Sequence, residues 1–229
     1  MCRFLLLKSK KAVSPKQFLV EFSEMAEKSK AFDGDWQGDG WGFSWLDKKS
    51  SWKLYRSLKP VWKDLSTFSS FPKTLFFAIH ARSASFPQHK GNIEFNQPYV
   101  NNPAIFVFNG YLKGVSLSIP GKIGAEKIWY LLRKTLKEYR PRGDRPLGEK
   151  PIEALEQVKN LLKKNTKQIQ ALNIGYSDGE KIYALSYYTN HPEYYQLRYV
   201  KNHDLSLIVS EPMGDYKFHE TSPGSILSF

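Results

Sequence analysis

Chemistry can start at the second residue of this chain. It opens MCRFLLLK, and Cys2 is its only cysteine. Once Met1 is removed, Cys2 becomes the first residue. Its own α-amine, with a reference pKa of roughly 7.7–8.0, can then take the proton of its thiol. One residue supplies a nucleophile and a base, two of the three things that cleaving an amide requires; the third is a pair of donors for the oxyanion. Cysteine is small, which suits removal of a preceding methionine. The bland reading makes Cys2 a small buried hydrophobe at the head of a strand. Residue type alone leaves both open.

His80, at the end of the apolar run TLFFAIHAR (74–82), is a candidate thiolate partner for Cys2. The reading preferred here is a structural histidine, because the α-amine already does the base's work. His89, His191, His203 and His219 show no metal spacing, no glycine-rich phosphate loop is present, and no carboxylate pair suggests glycosidase chemistry. No metal and no organic cofactor is implied.

The elements that must position these groups follow from periodicity and punctuation. CRFLLL (2–7) reads as a buried strand. Ser14-Pro15 marks a helix start, with Phe18, Phe22, Met25 and Ala26 on one face. FDGDWQGDGWG (32–42) is a glycine- and aspartate-rich loop, and WGFSWL and WKLYRSL flank a turn at 47–51. Core strands are expected at 74–82 and in IFVFNGYL (105–112), where Asn-Gly taken alone is a hairpin-turn signal. Helices are expected over 125–140 and along Ile152, Leu155, Val158, Leu161 and Leu162, with PRGDRPLGEKP between them. The last third reads as strands: IQALNIGYS, KIYALSYY, YYQLRYV, LSLIVSEP and SILSF. This order predicts one α+β domain over residues 1–229, with helices outside antiparallel sheets.

Composition excludes several classes. Hydrophobic residues make up 41% and aromatics 15% of 229 residues, as in a folded domain. No apolar run approaches the roughly 18 residues of a membrane span, and FLLLK is too short for a signal-peptide core. One cysteine excludes an internal disulfide framework and a multi-thiolate zinc site. The chain is read as cytoplasmic, with no membrane partner. A net charge of +12 suggests nucleic acid first, but the lysines fall singly or in pairs, and the densest basic stretch, RKTLKEYRPRGDRP (133–146), leaves a helix for a proline-rich loop. No nucleic-acid motif is visible. An attraction for anionic small molecules fits better. Oligomeric state is not legible.

MCR before an apolar strand, GDGWGF (38–43), HARSAS (80–85), FNQPYV (95–100), FNGYL (108–112) and SEPM (210–213) occur in this order. Together they resemble the class II glutamine amidotransferase domain, of the N-terminal-nucleophile hydrolases, and most closely its stand-alone members. The match spans nearly the whole chain and leaves no room in it for a fused synthetase domain. The resemblance implies a four-layer αββα sandwich of two antiparallel sheets flanked by helices. It implies Cys2 as nucleophile, Asn109 and the Gly110 N–H as oxyanion donors, Arg82 as the grip on a substrate carboxylate, and Ser85 as a second substrate contact. Gly40 and Gly42 would shape a pocket wall or serve as turn glycines.

The implied activity is hydrolysis of the side-chain amide of glutamine or another small-molecule γ-glutamyl compound. One alternative is a glutaminase subunit passing ammonia to a separate synthase. Another is a catalytically inactive basic binding protein on the same fold, which a retained Met1 would favour. Three positions depart from the family pattern. Phe108 and Gln97 stand where histidines are common, and Gly124 stands where an acidic residue holds the substrate's α-amine. Glu126 and Glu94 are nearby candidates for that task. With neither in register, free glutamine is expected to be a poor substrate, and a larger one, or one with an altered α-amine, a better one.

Overall fold

The computed structural model describes residues 1–138 and 150–229. The tail of the helix expected over 125–140 and nearly all of PRGDRPLGEKP lie outside the described residues. In chain order the main elements are β1 (Arg3–Val13), α1 (Pro15–Lys28), β2 (Trp41–Leu46), β3 (Trp52–Ser57), β4 (Thr74–Ala81), β5 (Tyr99–Asn101), β6 (Ala104–Val115), α2 (Gly124–Glu138), α3 (Lys150–Lys164), β7 (Thr166–Ser177), β8 (Ile182–Ser186), α4 (Pro192–Tyr195), β9 (Arg198–Lys201), β10 (Leu205–Val209), β11 (His219–Glu220) and β12 (Ser225–Ser228).

Two antiparallel sheets result. A seven-stranded sheet has the order β11-β9-β10-β1-β4-β2-β3, and a five-stranded sheet the order β12-β8-β7-β6-β5. β1 explains the layering. Its side chains alternate between two buried faces, which is why its sequence is a continuous apolar run. Leu5 and Leu7 pack with Phe18, Leu19 and Phe22 of α1, while Phe4 and Leu6 pack with Ile105 and Val107 of β6 between the sheets. On the far side, Phe106 and Phe108 of β6 meet Ile128, Trp129 and Leu132 of α2 and Leu155 and Val158 of α3. The order is helix, sheet, sheet, helix, the α+β sandwich expected from the motifs.

Local signals explain the element ends. Ser14 caps α1 by accepting from the Lys16 N–H at 3.4 Å, and Pro15 occupies the first helical turn. Most of the expected strands of the last third are shorter in fact, whereas that of IQALNIGYS starts earlier, at Thr166. YYQLRYV yields only β9, because Tyr194 and Tyr195 belong to the short helix α4 and bury their rings against Met1 and Ala31. The Asn-Gly pair is no turn: both residues lie inside β6 and pair with Asn173 and Leu172 of β7.

His80 ties the two sheets together. It sits on β4, fully buried, and its Nε2 lies 3.2 Å from the Phe108 carbonyl of β6. It has no hydrogen bond to Cys2 among the described residues, and its Nδ1 has no partner. Burial is the main cause that brings its pKa from 6.5 down to about 3, so the ring is neutral and its Nε2–H donates to the carbonyl. An unfolded chain binds a proton here below about pH 6.5, whereas the folded one does so only near pH 3. This part of the stability is therefore complete above pH 6.5 and is lost as pH falls towards 3. Urea unfolding across that range should show a fall in stability with a contribution of up to about 1.4 kcal/mol per pH unit from this site. His80→Gln, which keeps an N–H for the Phe108 carbonyl, should flatten the slope by that amount; an unchanged slope would contradict the assignment.

Candidate active site

The chain's start is pinned by Arg3, which is 1% exposed. Its Nε donates to Ser29 Oγ at 2.8 Å, one terminal nitrogen to the Tyr194 carbonyl at 3.1 Å, and the other pairs with Glu211 at 2.7 Å. The guanidinium also lies 3.7 Å over the Tyr194 ring. These contacts fix Cys2, half-buried, beside Ser83: the Ser83 N–H points to Cys2 Sγ at 3.4 Å, and Sγ lies 3.7 Å from the Ser83 carbonyl.

Asp35 completes this corner. It accepts from Ser83 Oγ at 2.6 Å and pairs with the α-ammonium of Met1. Burial is the largest influence on that amine and draws its pKa from 8.0 down to about 6, against the opposing pull of Cys2, Asp33 and Asp39. Met1 itself is buried among Ala31, Ala171, Tyr188, Tyr194 and Tyr195. Nothing in the composition of FDGDWQGDGWG separates Asp35 from an ordinary loop aspartate, so sequence reasoning missed it, and with it Ser83. The loop is drawn in by Gln37, which is fully buried and donates to the Ala26 and Ser29 carbonyls at the end of α1.

A cavity of about 560 Å³ opens beside Cys2. Cys2, Arg82, Ser85 and Gly110, all expected in the site, line it together, and so does Gly124. Arg82 is 4% exposed, yet its partners are uncharged: the His89 carbonyl at 2.6 Å, Asn96 Oδ1 at 3.3 Å and the Asn92 carbonyl at 3.5 Å. Among the described residues no carboxylate pairs with it. A buried guanidinium held only by dipoles is suited to a ligand's carboxylate.

The direction of the Gly110 N–H follows from strand geometry. Alternate N–H groups of β6 point to β7 and to the opposite edge. The Phe108 N–H takes the second direction and is accepted by Gln97 Oε1 at 2.6 Å. Gly110, two residues on, shares that direction, and β5 no longer covers the edge there, since it pairs only with residues 104–106. A side chain is not tolerated at Gly110: an added Cβ would lie 2.6 Å from the Phe108 ring and against the Ala171 carbonyl.

Asn109 does not itself line the cavity. Ile105 and Val107 face the inter-sheet layer with Phe4 and Leu6, so alternation brings Asn109 and Cys2 to that same layer. Its side chain is 1% exposed, and neither its nitrogen nor its oxygen has a partner. Leaving such an amide unsatisfied costs about 1–3 kcal/mol, which a ligand at that point would recover.

Other expectations are corrected. Gly40 and Gly42 form no cavity wall; they let the segment 96–98 approach β2, where a Cβ at Gly42 would meet the Gln97 carbonyl. That approach sets Asn96 against Arg82 and Gln97 against Phe108, so Gln97 is a strand-capping side chain that sequence reasoning noted only as a departure. Glu126 accepts from the Lys122 N–H at 2.7 Å, and Glu94 is exposed and pairs with Arg56 at 3.5 Å; neither lines the cavity. Among the described residues no group of three or more His, Cys, Asp or Glu side chains could hold a metal ion, and no helix is long and apolar enough to cross a membrane.

No protein-family model matches the chain, and no curated protein matches it in sequence. Solved structures do match in shape. A glutamine aminotransferase class-II domain protein from Silicibacter pomeroyi superposes with a TM-score of 0.64 at 19% identity, covering 99% of this chain and 94% of that one. A predicted glutamine amidotransferase from Pseudomonas aeruginosa gives 0.56 at 15% identity, over 100% and 93% of the two chains. The glutamine phosphoribosylpyrophosphate amidotransferase of B. subtilis gives 0.61 at 13% identity; 99% of this chain matches 47% of that longer one. The chain therefore has the fold of the class II glutamine amidotransferase domains, a sandwich of two antiparallel sheets between helices.

Proposed function

We propose that this protein is a cysteine-dependent amidohydrolase that cleaves the side-chain amide of glutamine or a γ-glutamyl compound. One observation carries the reading. Cys2, Arg82, Ser85 and Gly110 line a single cavity, while the neighbouring Asn109 holds a buried amide that the fold leaves unused. The shape shared with glutamine amidotransferase domains supports the same chemistry.

The chain with Met1 in place is a precursor in this account, because the buried amine beside Asp35 belongs to the wrong residue. Hydrolysis of the Met1–Cys2 peptide bond transfers that role to the amine of Cys2. The thiol proton passes to this amine as sulfur attacks the amide carbon. The Gly110 N–H and Asn109 Nδ2 take the oxyanion, and Arg82 and Ser85 hold the rest of the substrate. The amine then protonates the leaving nitrogen, and a thioester remains. Water, deprotonated by the same amine, releases the acid and restores the thiol. Holding these groups around one bound substrate lowers the entropic part of the barrier.

Cys2→Ala should abolish amide hydrolysis and leave thermal unfolding nearly unchanged, since alanine fits the strand start. Asn109→Ala should lower kcat by about 10²–10³ with a much smaller change in KM, the usual loss for one oxyanion donor. Ammonia release under saturating substrate measures both. Full activity in the first variant, or unfolding of the second, would return these residues to structural roles.

A further inference from the structure

The cavity beside Cys2 is electrostatically one-sided. Among the described residues its lining contains no Asp or Glu, and its charged side chains are Arg82, Lys113, Lys122 and Lys127. The acids nearest in the fold are committed elsewhere. Asp35 holds Ser83 and the chain's amine, Asp39 the Ala84 N–H and Lys90, Glu94 Arg56, and Glu126 the Lys122 N–H. An α-ammonium brought into this space loses water and gains no counter-charge, which costs several kcal/mol.

The wall offers something else. Gly124 and Ala125 open α2, and the first turn of a helix leaves its N–H groups without intrahelical acceptors and carries a partial positive charge. Those donors suit a carbonyl oxygen and repel an ammonium. A Cβ at Gly124 would meet nothing within 4 Å, so this part of the cavity is open. The same lining includes the apolar side chains of Leu117, Ile119, Ile123 and Phe86. At about 560 Å³ the cavity lies within the roughly 300–1,000 Å³ range of pockets that take ligands larger than a single amino acid.

We infer that the substrate is a glutamine whose α-nitrogen is acylated, either an N-acyl-glutamine or the C-terminal glutamine of a peptide. The inference rests on the proposed attack of Cys2 on a side-chain amide. Acylation removes the ammonium charge, supplies a carbonyl for the N–H groups that open α2, and adds a chain for the apolar wall. The free α-carboxylate remains for Arg82.

The test compares L-glutamine, N-acetyl-L-glutamine and N-benzyloxycarbonyl-L-glutamine on the protein lacking Met1, by kcat/KM for ammonia release. Calorimetric binding of the same three compounds to Cys2→Ala is run in parallel. Both acylated compounds should exceed free glutamine at least tenfold in kcat/KM, with the benzyloxycarbonyl compound binding more tightly than the acetyl one. Gly124→Asp should move the preference towards free glutamine by a similar factor. Efficient Cys2-dependent turnover of free glutamine, with the acylated compounds equal or poorer, would overturn the inference and leave the proposed chemistry standing. Absence of turnover with all three, together with absence of binding to Cys2→Ala, would overturn both.

Discussion

The site depends on how Arg3 is buried. A guanidinium cannot be left without partners in a protein interior, so its position is set by every group that satisfies it. Here those groups come from three distant stretches: Ser29 after α1, the Tyr194 carbonyl of α4, and Glu211 after β10. Ser29 also donates to Glu211, which closes the network. The residue before Arg3 has no freedom left. Cys2 is held at the end of the strand on which both sheets are layered, a few ångströms from Ser83. The first residues of a chain commonly fray unless tied down. A nucleophile there needs such an anchor, and removing one partner of a buried ion pair leaves the other uncompensated.

The rest of the site follows from sheet geometry. β6 is longer than its neighbour β5, which leaves the edge at Gly110 uncovered. Gln97 closes the edge just before that point by mimicking a strand with its side-chain amide. Arg82 follows directly after β4, held by carbonyls of the loop it faces. The +12 charge of the chain takes a specific local form at this point, an acid-free cavity with one buried arginine and three lysines among its described lining residues.

Much of this was legible from residues. The doubly buried β1, the capped α1 and the stripes of α2 and α3 follow from periodicity, because burial selects residue type there directly. Cys2, Arg82, Ser85, Asn109 and Gly110 were singled out through ordered motifs, and all of them but Asn109 line one cavity. Asn-Gly, a turn signal when taken alone, lies inside the expected strand, where glycine is needed for a different reason: the Phe108 ring fills the place of a side chain at Gly110. The tyrosines of TNHPEYYQL read as strand residues by propensity, yet Tyr194 and Tyr195 serve as the wall around Met1. Asp35, Ser83 and Gln97 were not legible. Their roles arise from contacts across 48, 81 and 11 positions, which no local pattern records.

In the proposed reaction Cys2, freed of Met1, is the attacking group. Its most direct test is intact-mass and peptide analysis of protein purified from its native source, before and after reaction with a glutamine-analogue diazo-ketone. The expected result is a starting mass lacking one methionine and a single adduct, carried on the Cys2 sulfur. A chain that keeps Met1 and takes up no reagent, or an adduct on any other residue, would contradict it.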